Sequence, residues 1–208
     1  MEKEDKINAL VIVAHPDDET IWMGGTILQN LDWNWTIISL SRKNDPDRAP
    51  KFQRACKSLN HYSTSIISDL DDQILQPLQI DEVKRKILFL LPKKNYDIIF
   101  THGKNGEYGH IRHKETHKAV VSLIEDNILK CSQLKFFSYI KGSVRPPVNP
   151  ELFVHYPNPL ADEYIKLSLE IFKRKQMLIR DMYGFQEKGF EFMCSGPTEA
   201  FDIHVSKK

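Results

Sequence analysis

Two buried-strand patterns, each ending in a cluster of polar side chains, constrain the fold of this chain more than any other feature. The apolar run 8–13 leads directly into Ala14-His15-Pro16-Asp17-Asp18-Glu19, and the run 97–101 leads into a glycine-rich stretch, 102–113, that holds three histidines. Short apolar runs of this kind are typical of strands buried in a parallel sheet. Because parallel strands end at the same edge, the two polar clusters are expected to meet there, where α/β enzymes place their active sites.

Strand-like and helix-like segments alternate along the chain, which predicts a Rossmann-like α/β fold: a mostly parallel sheet with helices on both faces. The pattern predicts strands near 9–14, 36–40, 65–67, 97–101 and 135–139, and helices near 18–30, 51–60, 81–91 and 110–125. A chain of 208 residues can bury one substantial core, so we expect a single domain over residues 1–208.

The later part of the chain is less regular. Segment 142–159 holds five of the eleven prolines, which indicates a surface excursion that could rim a pocket. In segment 161–182 the apolar residues Ile165, Leu169, Phe172 and Ile179 have helical spacing. This spacing predicts one amphipathic helix over 161–182.

The composition argues against several classes of partner. The 29 basic and 28 acidic residues nearly cancel, so no net positive field is available to hold a nucleic acid. The apolar N-terminal run is too short for a membrane span, and the charged residues before it do not resemble a targeting signal. The three cysteines are widely separated, which indicates reduced thiols and a cytoplasmic protein.

The two strand ends carry residue types that bind metals. His15 and Asp18 are three positions apart at a strand-to-helix turn, and His110 and His113 are three apart at a helix start. Catalytic zinc sites use three such protein ligands and leave one position open. Asp17, beside these ligands, could act as a general base, or it could simply cap the following helix. A structural, hydrogen-bonded histidine remains the alternative for each imidazole taken singly.

Other patterns near the second strand end are less informative. His117 follows His113 by four positions, but the glutamate between them does not have the spacing of a zincin metalloprotease. The glycines in 102–113 match neither a dinucleotide-binding fingerprint nor a phosphate-binding loop. Tyr108, inside this glycine-rich stretch, is the aromatic residue that we expect to line a pocket.

At these positions the chain resembles the LmbE-like, or PIG-L, family of zinc-dependent N-acetylglucosaminyl deacetylases. Segment 14–19 resembles the Ala-His-Pro-Asp-Asp-Glu signature of the family, and 109–113 resembles its Gly-His-x-x-His element. Weaker similarity continues through Leu70-Asp71-Asp72-Gln73, through the stretch from Lys175 to Gln186, and at Glu199-Ala200-Phe201. The usual Thr-x-Gly-Glu of the family is replaced by Ser41-Arg42-Lys43-Asn44.

The resemblance implies a role for individual residues. Zinc (Zn2+) would be held by His15, Asp18 and His113, with Asp17 as the general base. His110 would stabilise the oxyanion or serve as an acid. A second set would bind the substrate: Asp72 through a sugar hydroxyl, and one arginine, either Arg48 or Arg54. Tyr108, the aromatic residue expected in the pocket, is a further candidate for substrate binding.

The implied reaction is hydrolysis of an N-acetyl group on a small amino sugar or glycoside, releasing acetate. Two alternatives stay open at this point: a metal-containing carbohydrate-binding protein without turnover, and a metal-dependent phosphoesterase. An intact Asp17 argues against the first, because binding alone would not require a base beside the ion. A phosphoesterase would be expected to show more basic residues and preferably a second metal. The sequence leaves open whether the chain forms a homo-oligomer.

Overall fold

The structure, a computed structural model, describes residues 6–204. Its strands within these residues are β1 (Asn8–Val13), β2 (Asn34–Ser41), β3 (Thr64–Leu70), β4 (Asn95–Thr101), β5 (Lys130–Phe137), β6 (Tyr139–Lys141), β7 (His155–Pro157), β8 (Glu163–Lys166) and β9 (Thr198–Ile203). Its helices are α1 (Asp18–Gln29), α2 (Arg48–Leu59), α3 (Ile80–Leu90), α4 (Ile111–Glu125), α5 (Leu169–Met177) and α6 (Phe190–Cys194). A π-helical turn, Leu178–Met182, extends α5. None of the helices in the described part combines the length and apolarity needed to cross a bilayer.

Seven strands form the main sheet, in the order β3-β2-β1-β4-β5-β9-β8. The first five are parallel, and β9 and β8 are added antiparallel at one edge. β1 lies at the centre, where Val11 pairs with Ile37 on one side and with Phe100 on the other. The strand order reverses between β1 and β4, and in doubly wound sheets ligands bind at this point. The predicted Rossmann-like, mostly parallel sheet is confirmed.

Alternate residues of the central strands face opposite sides of the sheet and belong to two separate cores. Val11 and Val13 contribute to the core that includes Trp22 of α1 and Phe52 of α2. Leu10, Ile12 and their neighbours contribute to a second core with α3 and α4. Both faces of the sheet are therefore covered by helices, as the apolar strand pattern predicted.

α1 is broken in the middle. Met23 has non-helical backbone angles, φ −149° and ψ 15°, and the helix resumes at the glycine pair. The carboxylate of Glu199 on β9 accepts the N–H groups of Gly25 at 2.8 Å and Thr26 at 2.7 Å, and it also binds the buried Lys175 Nζ at 2.6 Å. These contacts cap the second half of α1. At Gly25 an added Cβ would lie 2.4 Å from the side chain of Leu167, so this close approach requires glycine.

The prediction of one helix over 161–182 is wrong in its first part. Glu163–Lys166 forms β8, which pairs with the unpredicted strand β9. The helix begins only after Ser168, whose hydroxyl accepts the N–H of Ile171 at 3.3 Å and caps the N-terminus. Residues 163–166 lie in strand conformation because their partner is β9, about 35 positions away, and no local pattern reveals such a pairing.

The proline-rich segment 142–159 contains β7, which pairs antiparallel with β6 as a separate two-stranded ribbon. Residues 142–154 are irregular, as predicted, and Leu152 reaches the cavity described below.

Candidate active site

The polar residues of both strand ends converge where the strand order reverses between β1 and β4. The turn from β1 to α1 supplies His15, Asp17 and Asp18, and the first turn of α4 supplies His113. The loops after β2 and β3 add Arg42 and Asp72, the first residue of α2 adds Arg48, and α6 adds Glu191. The parallel arrangement of β1 and β4 therefore brings together residues that lie almost a hundred positions apart.

His15, Asp18 and His113 form a nearly equilateral triangle of donor atoms, here called the donor triangle. His15 Nδ1 lies 3.1 Å from His113 Nε2 and 3.2 Å from Asp18 Oδ2, and the third side, from Asp18 Oδ2 to His113 Nε2, is 3.3 Å. A tetrahedral zinc ion separates its donor atoms by about 3.3–3.6 Å. Two imidazoles and one carboxylate are also a donor set of catalytic zinc sites. The donor triangle therefore fits a zinc ion in both chemistry and spacing.

His15 is held in place by Asp72. Its Nε2 lies 2.9 Å from Asp72 Oδ1, which leaves Nδ1 pointing into the donor triangle. The second oxygen of Asp72 accepts a hydrogen bond from Arg42 Nε at 2.8 Å and lies 2.6 Å from Arg42 Nη2 in an ion pair. Burial acts to raise the pKa of Asp72, but His15 and Arg42 outweigh it and lower this pKa to about 2. Asp72 therefore orients a candidate ligand, a role that the sequence did not suggest.

His113 is held from behind by Glu107, a residue that the sequence analysis did not select. Glu107 Oε2 accepts hydrogen bonds from His113 Nδ1 and, at 2.8 Å, from His102 Nδ1. Burial opposes ionisation, yet the two imidazoles lower the pKa of Glu107 to about 2. The pKa of His113 is raised to about 10 because Asp18 and Glu107 outweigh the effect of burial. The imidazoles of His113 and His102 hold the pKa of Asp18 well below its usual range in spite of burial.

Asp17 lies beside the donor triangle without belonging to it. Its backbone has φ 115°, a conformation uncommon for a residue other than glycine. Its carboxylate makes no capping hydrogen bond with α1 among the described residues, and it binds Arg48 Nη1 at 2.5 Å instead. Burial and the nearby Asp18 raise the pKa of Asp17, and Arg48 acts in the opposite direction. The side chain of Asp17 therefore does not cap α1.

His110 is the N-cap residue of α4, and its ring lies 4.6 Å, centroid to centroid, from that of His15. Burial, together with His15 and His113, lowers its pKa to about 3. Its Nδ1 accepts the backbone N–H of Arg112 at 3.3 Å, so the ring proton is on Nε2. A ring nitrogen of His110 also lies within 4.8 Å of the donor atoms of His15 and His113. The structure thus favours a neutral imidazole that can donate a hydrogen bond over a charged acid.

A cavity of about 220 Å³ opens above the donor triangle. The residues that line it come from six parts of the chain: His15, Pro16, Asp17, Asp18, Ile21, Trp22, Arg42, Arg48, Asp72, Tyr108, His110, Leu152, Phe190 and Glu191. Of the two arginines that the sequence left open, Arg48 lies in this wall, whereas Arg54 is exposed elsewhere on α2. Tyr108 also lies in the wall, and His117 lies outside it, with Nδ1 2.9 Å from the carbonyl of His102.

Comparison with known proteins agrees with the sequence resemblance. Residues 10–124, more than half of the chain, match the family PIG-L: GlcNAc-PI de-N-acetylase. The N-acetylglucosaminyl-phosphatidylinositol de-N-acetylase of Saccharomyces cerevisiae is 26% identical over 179 residues, which covers 78% of this chain and 56% of the yeast protein. The chain spans 56–66% of the length of the curated relatives it matches.

Solved structures share the fold at low sequence identity. The N,N'-diacetylchitobiose deacetylase of Pyrococcus horikoshii superposes with a TM-score of 0.67 at 17% identity, over 97% of this chain and 85% of that one. The 4-carboxy-2-hydroxymuconate hydratase of Pseudomonas putida superposes with a TM-score of 0.60 at 12% identity, over 97% and 99% of the two chains. This fold therefore occurs in enzymes of two different reaction types, and the fold by itself does not select one.

Proposed function

The chain belongs to the PIG-L family, and from this premise we propose that it is a zinc-dependent deacetylase. Its substrate would be an N-acetylglucosamine-type sugar or glycoside, and its products would be acetate and a free amine. The observation that carries the proposal is the donor triangle, of which His15 and Asp18 line the cavity, with the carboxylate of Asp17 next to the triangle but outside it. A site for binding alone would not need this additional carboxylate.

The names of two similar proteins support an N-acetylated sugar as the substrate. The yeast relative and the Pyrococcus protein are both named for removing acetyl groups from N-acetylglucosamine derivatives. The hydratase with the same fold carries no such name, so the proposal rests on the family match and the donor triangle.

His15, Asp18 and His113 would hold the zinc ion, which supplies Lewis-acid activation of the amide carbonyl and of the attacking water. Asp17 would accept the proton of this water. Arg48 occupies Asp17 Oδ2, so Oδ1 is the oxygen left for the proton. Arg48 also favours the ionised form of Asp17, which a general base requires.

His110 would stabilise the negative charge that develops on the carbonyl oxygen. Its Nδ1 is engaged by the backbone of Arg112, which directs the Nε2 proton to the other side of the ring. A neutral donor suits this role, because it stabilises charge without transferring its proton.

The cavity wall suits a hydroxyl-rich ring. Arg42, Arg48, Asp72 and Glu191 present charged hydrogen-bonding groups, and Trp22 and Tyr108 present aromatic surface. Oδ2 of Asp72 is taken by Arg42, but Oδ1 has only His15 as a partner and keeps a second lone pair that can accept a sugar hydroxyl.

An acetate-release assay on the zinc-loaded protein tests the proposal. The panel comprises N-acetylglucosamine, N,N'-diacetylchitobiose, N-acetylglucosaminyl-phosphatidylinositol and, as a non-sugar arm, an N-acetylated peptide. We expect release from at least one sugar, loss of this activity in the Asp17→Asn variant, and no release from the peptide.

Other outcomes identify the alternatives. Binding of the sugars without acetate release would make the chain a metal-containing carbohydrate-binding protein. Hydrolysis of a phosphate ester such as p-nitrophenyl phosphate, without acetate release, would indicate a phosphoesterase. Either result would overturn the deacetylase proposal.

A further inference from the structure

Glu107 is a buried carboxylate that faces away from the cavity and toward the back of the donor triangle. Its side chain is 0% exposed. Oε2 accepts hydrogen bonds from His102 Nδ1 and His113 Nδ1, and Oε1 accepts the backbone N–H of Gly103 at 2.7 Å. All of these contacts are to the protein, so Glu107 can influence the site only through the residues that it holds.

The chain around Glu107 is built to keep this carboxylate in place. Glu107 has φ 51°, in the left-handed region that side chains other than glycine seldom adopt. Its backbone N–H is bound by Asn105 Oδ1 at 3.2 Å, and Asn105 in turn donates to the carbonyl of Tyr139 at 2.7 Å. A residue held by its surroundings in an uncommon conformation points to a function for its side chain.

The hydrogen bonds of Glu107 determine which ring nitrogen of each histidine is free. A carboxylate can only accept, so both His102 and His113 carry a proton on Nδ1, and the neutral form of each ring, the form that can bind a metal, has its lone pair on Nε2. The lone pair of His102 Nε2 is taken by the backbone N–H of Ala14 at 2.9 Å. The lone pair of His113 Nε2 remains directed into the donor triangle. The two rings stack with centroids 3.8 Å apart, yet only one of them offers a ligand atom.

Glu107 therefore helps to hold both chain segments that carry an imidazole ligand, the start of α4 and the end of β1. It contacts His113 on α4 directly. Through His102 it also fixes the backbone of Ala14, the residue immediately before His15.

We infer that Glu107 is a positioning residue of the metal site, setting the proton and ring orientation of His113 and, through His102, the end of β1. This inference rests on the metal site of the proposed function, and it does not depend on the substrate. Carboxylates behind a ligand imidazole typically contribute 10–100-fold to metal affinity.

Glu107→Gln is the sharpest test because the amide keeps the size of the side chain. If the amide oxygen replaces Oε2, the amide NH2 faces the N–H of Gly103 as a second donor; in the opposite orientation the NH2 faces both imidazole protons. We expect the Kd for zinc, measured by competition with a chelator in the absence of substrate, to rise about 10–100-fold.

The matched control is Glu115→Gln. Glu115, on α4, also has a buried carboxylate. This carboxylate binds Arg112 Nη1 at 2.7 Å and the N–H of Leu78 at 2.8 Å rather than a histidine. The zinc affinity of the Glu115→Gln variant should stay within twofold of that of the unmodified protein. A purely structural role for Glu107 would lower the thermal midpoint of both metal-free variants and leave both zinc affinities unchanged, which would overturn the inference.

A spectroscopic measurement on the unmodified protein tests the inference even if Glu107→Gln does not fold. In the zinc-loaded protein, 15N NMR of the imidazoles should show Nδ1 protonated in both His102 and His113. Protonation of His113 on Nε2, or zinc bound through its Nδ1, would overturn the inference. Neither measurement uses catalysis, so a protein that passes both but releases no acetate would refute only the proposed function.

Discussion

Arg48 Nη1 lies 2.5 Å from Asp17 Oδ2, and the guanidinium group of the same arginine lies 4.6 Å from the centre of the Phe185 ring. The arginine at the start of α2 is thus fixed between an aromatic side chain and the proposed general base. This contact joins the two loops that follow β1 and β2. The contact with Asp17 also distinguishes Arg48 from Arg54 as the arginine of the site, a choice that the sequence alone left open.

Replacing Arg48 should therefore impair catalysis. A hydrogen bond to a charged group contributes about 1.5–3 kcal/mol, which corresponds to roughly a 10–100-fold loss of kcat/KM in Arg48→Ala. Arg54→Ala removes an exposed arginine from the same helix and should stay within about twofold of the unmodified protein. Steady-state acetate release measures both. Equal losses in the two variants would point to a general charge effect.

Asp17→Asn should keep the fold and the zinc but lower kcat by a factor on the order of 10² or more, the scale of general-base removal. Zinc content and kcat are measured on the same preparation. Loss of zinc would instead make Asp17 a ligand, and a nearly unchanged kcat would assign the base to another group.

The donor triangle predicts about one zinc ion per chain. His15→Ala and His113→Ala each remove one corner and should lose the metal, whereas His117→Ala should retain it, since His117 binds the carbonyl of His102 outside the cavity wall. Elemental analysis after gel filtration gives the stoichiometry. Chelation should abolish activity and added zinc should restore it; full occupancy in both alanine variants would refute the donor triangle.

The buried pair of Lys175 and Glu199 should be sensitive to removal of one partner. Glu199→Gln leaves Lys175 as an uncompensated buried charge, which typically costs about 3–5 kcal/mol in the free energy of unfolding. Adding Lys175→Met should recover part of this loss, because the unpaired charge is then gone. Urea denaturation followed by circular dichroism measures both variants. An unchanged midpoint for Glu199→Gln would show that capping of α1 contributes little.

The cysteine thiols should react slowly and in a pH-dependent manner. Burial raises the pKa of Cys131 to about 11 and that of Cys194 to about 12, and it also raises the pKa of Cys56. At pH 8 the half-buried Cys131 is then almost entirely neutral, so it should react on the order of 10²-fold more slowly than free cysteine. Its rate should rise about tenfold per pH unit from 8 to 10. A disulfide-exchange reagent measures the rate, and Cys131→Ser should remove this phase.

Much of the fold was accessible from the sequence because the central strands β1 and β4 contain short apolar runs, and such runs are local signals. β8 and β9 escaped prediction for the opposite reason. They lie at the antiparallel edge, and their pairing joins segments about 35 positions apart. Helical spacing at Ile165 and Leu169 then favoured the wrong structure for 161–168.

The candidate site divides in a similar way. His15, Asp18 and His113 lie in recognisable patterns at strand ends and helix starts, and the structure brings them together. Glu107 was not recognised because a single carboxylate in a glycine-rich loop has no characteristic spacing. The choice between Arg48 and Arg54 depended on where α2 begins, and the helix starts three residues before the predicted position.

The cap on α1 also bears on the order in which the molecule is assembled. Gly25 is bound by Glu199, a residue 174 positions later in the chain. During synthesis on a ribosome, residues 18–29 emerge long before β9 exists, so the N–H groups of Gly25 and Thr26 must first be satisfied by water. The parallel strands can pair as they appear, but the second half of α1 receives its cap only when β9 joins the sheet. The broken helix beside the proposed zinc site therefore reaches its final hydrogen bonding only after the antiparallel edge of the sheet has formed.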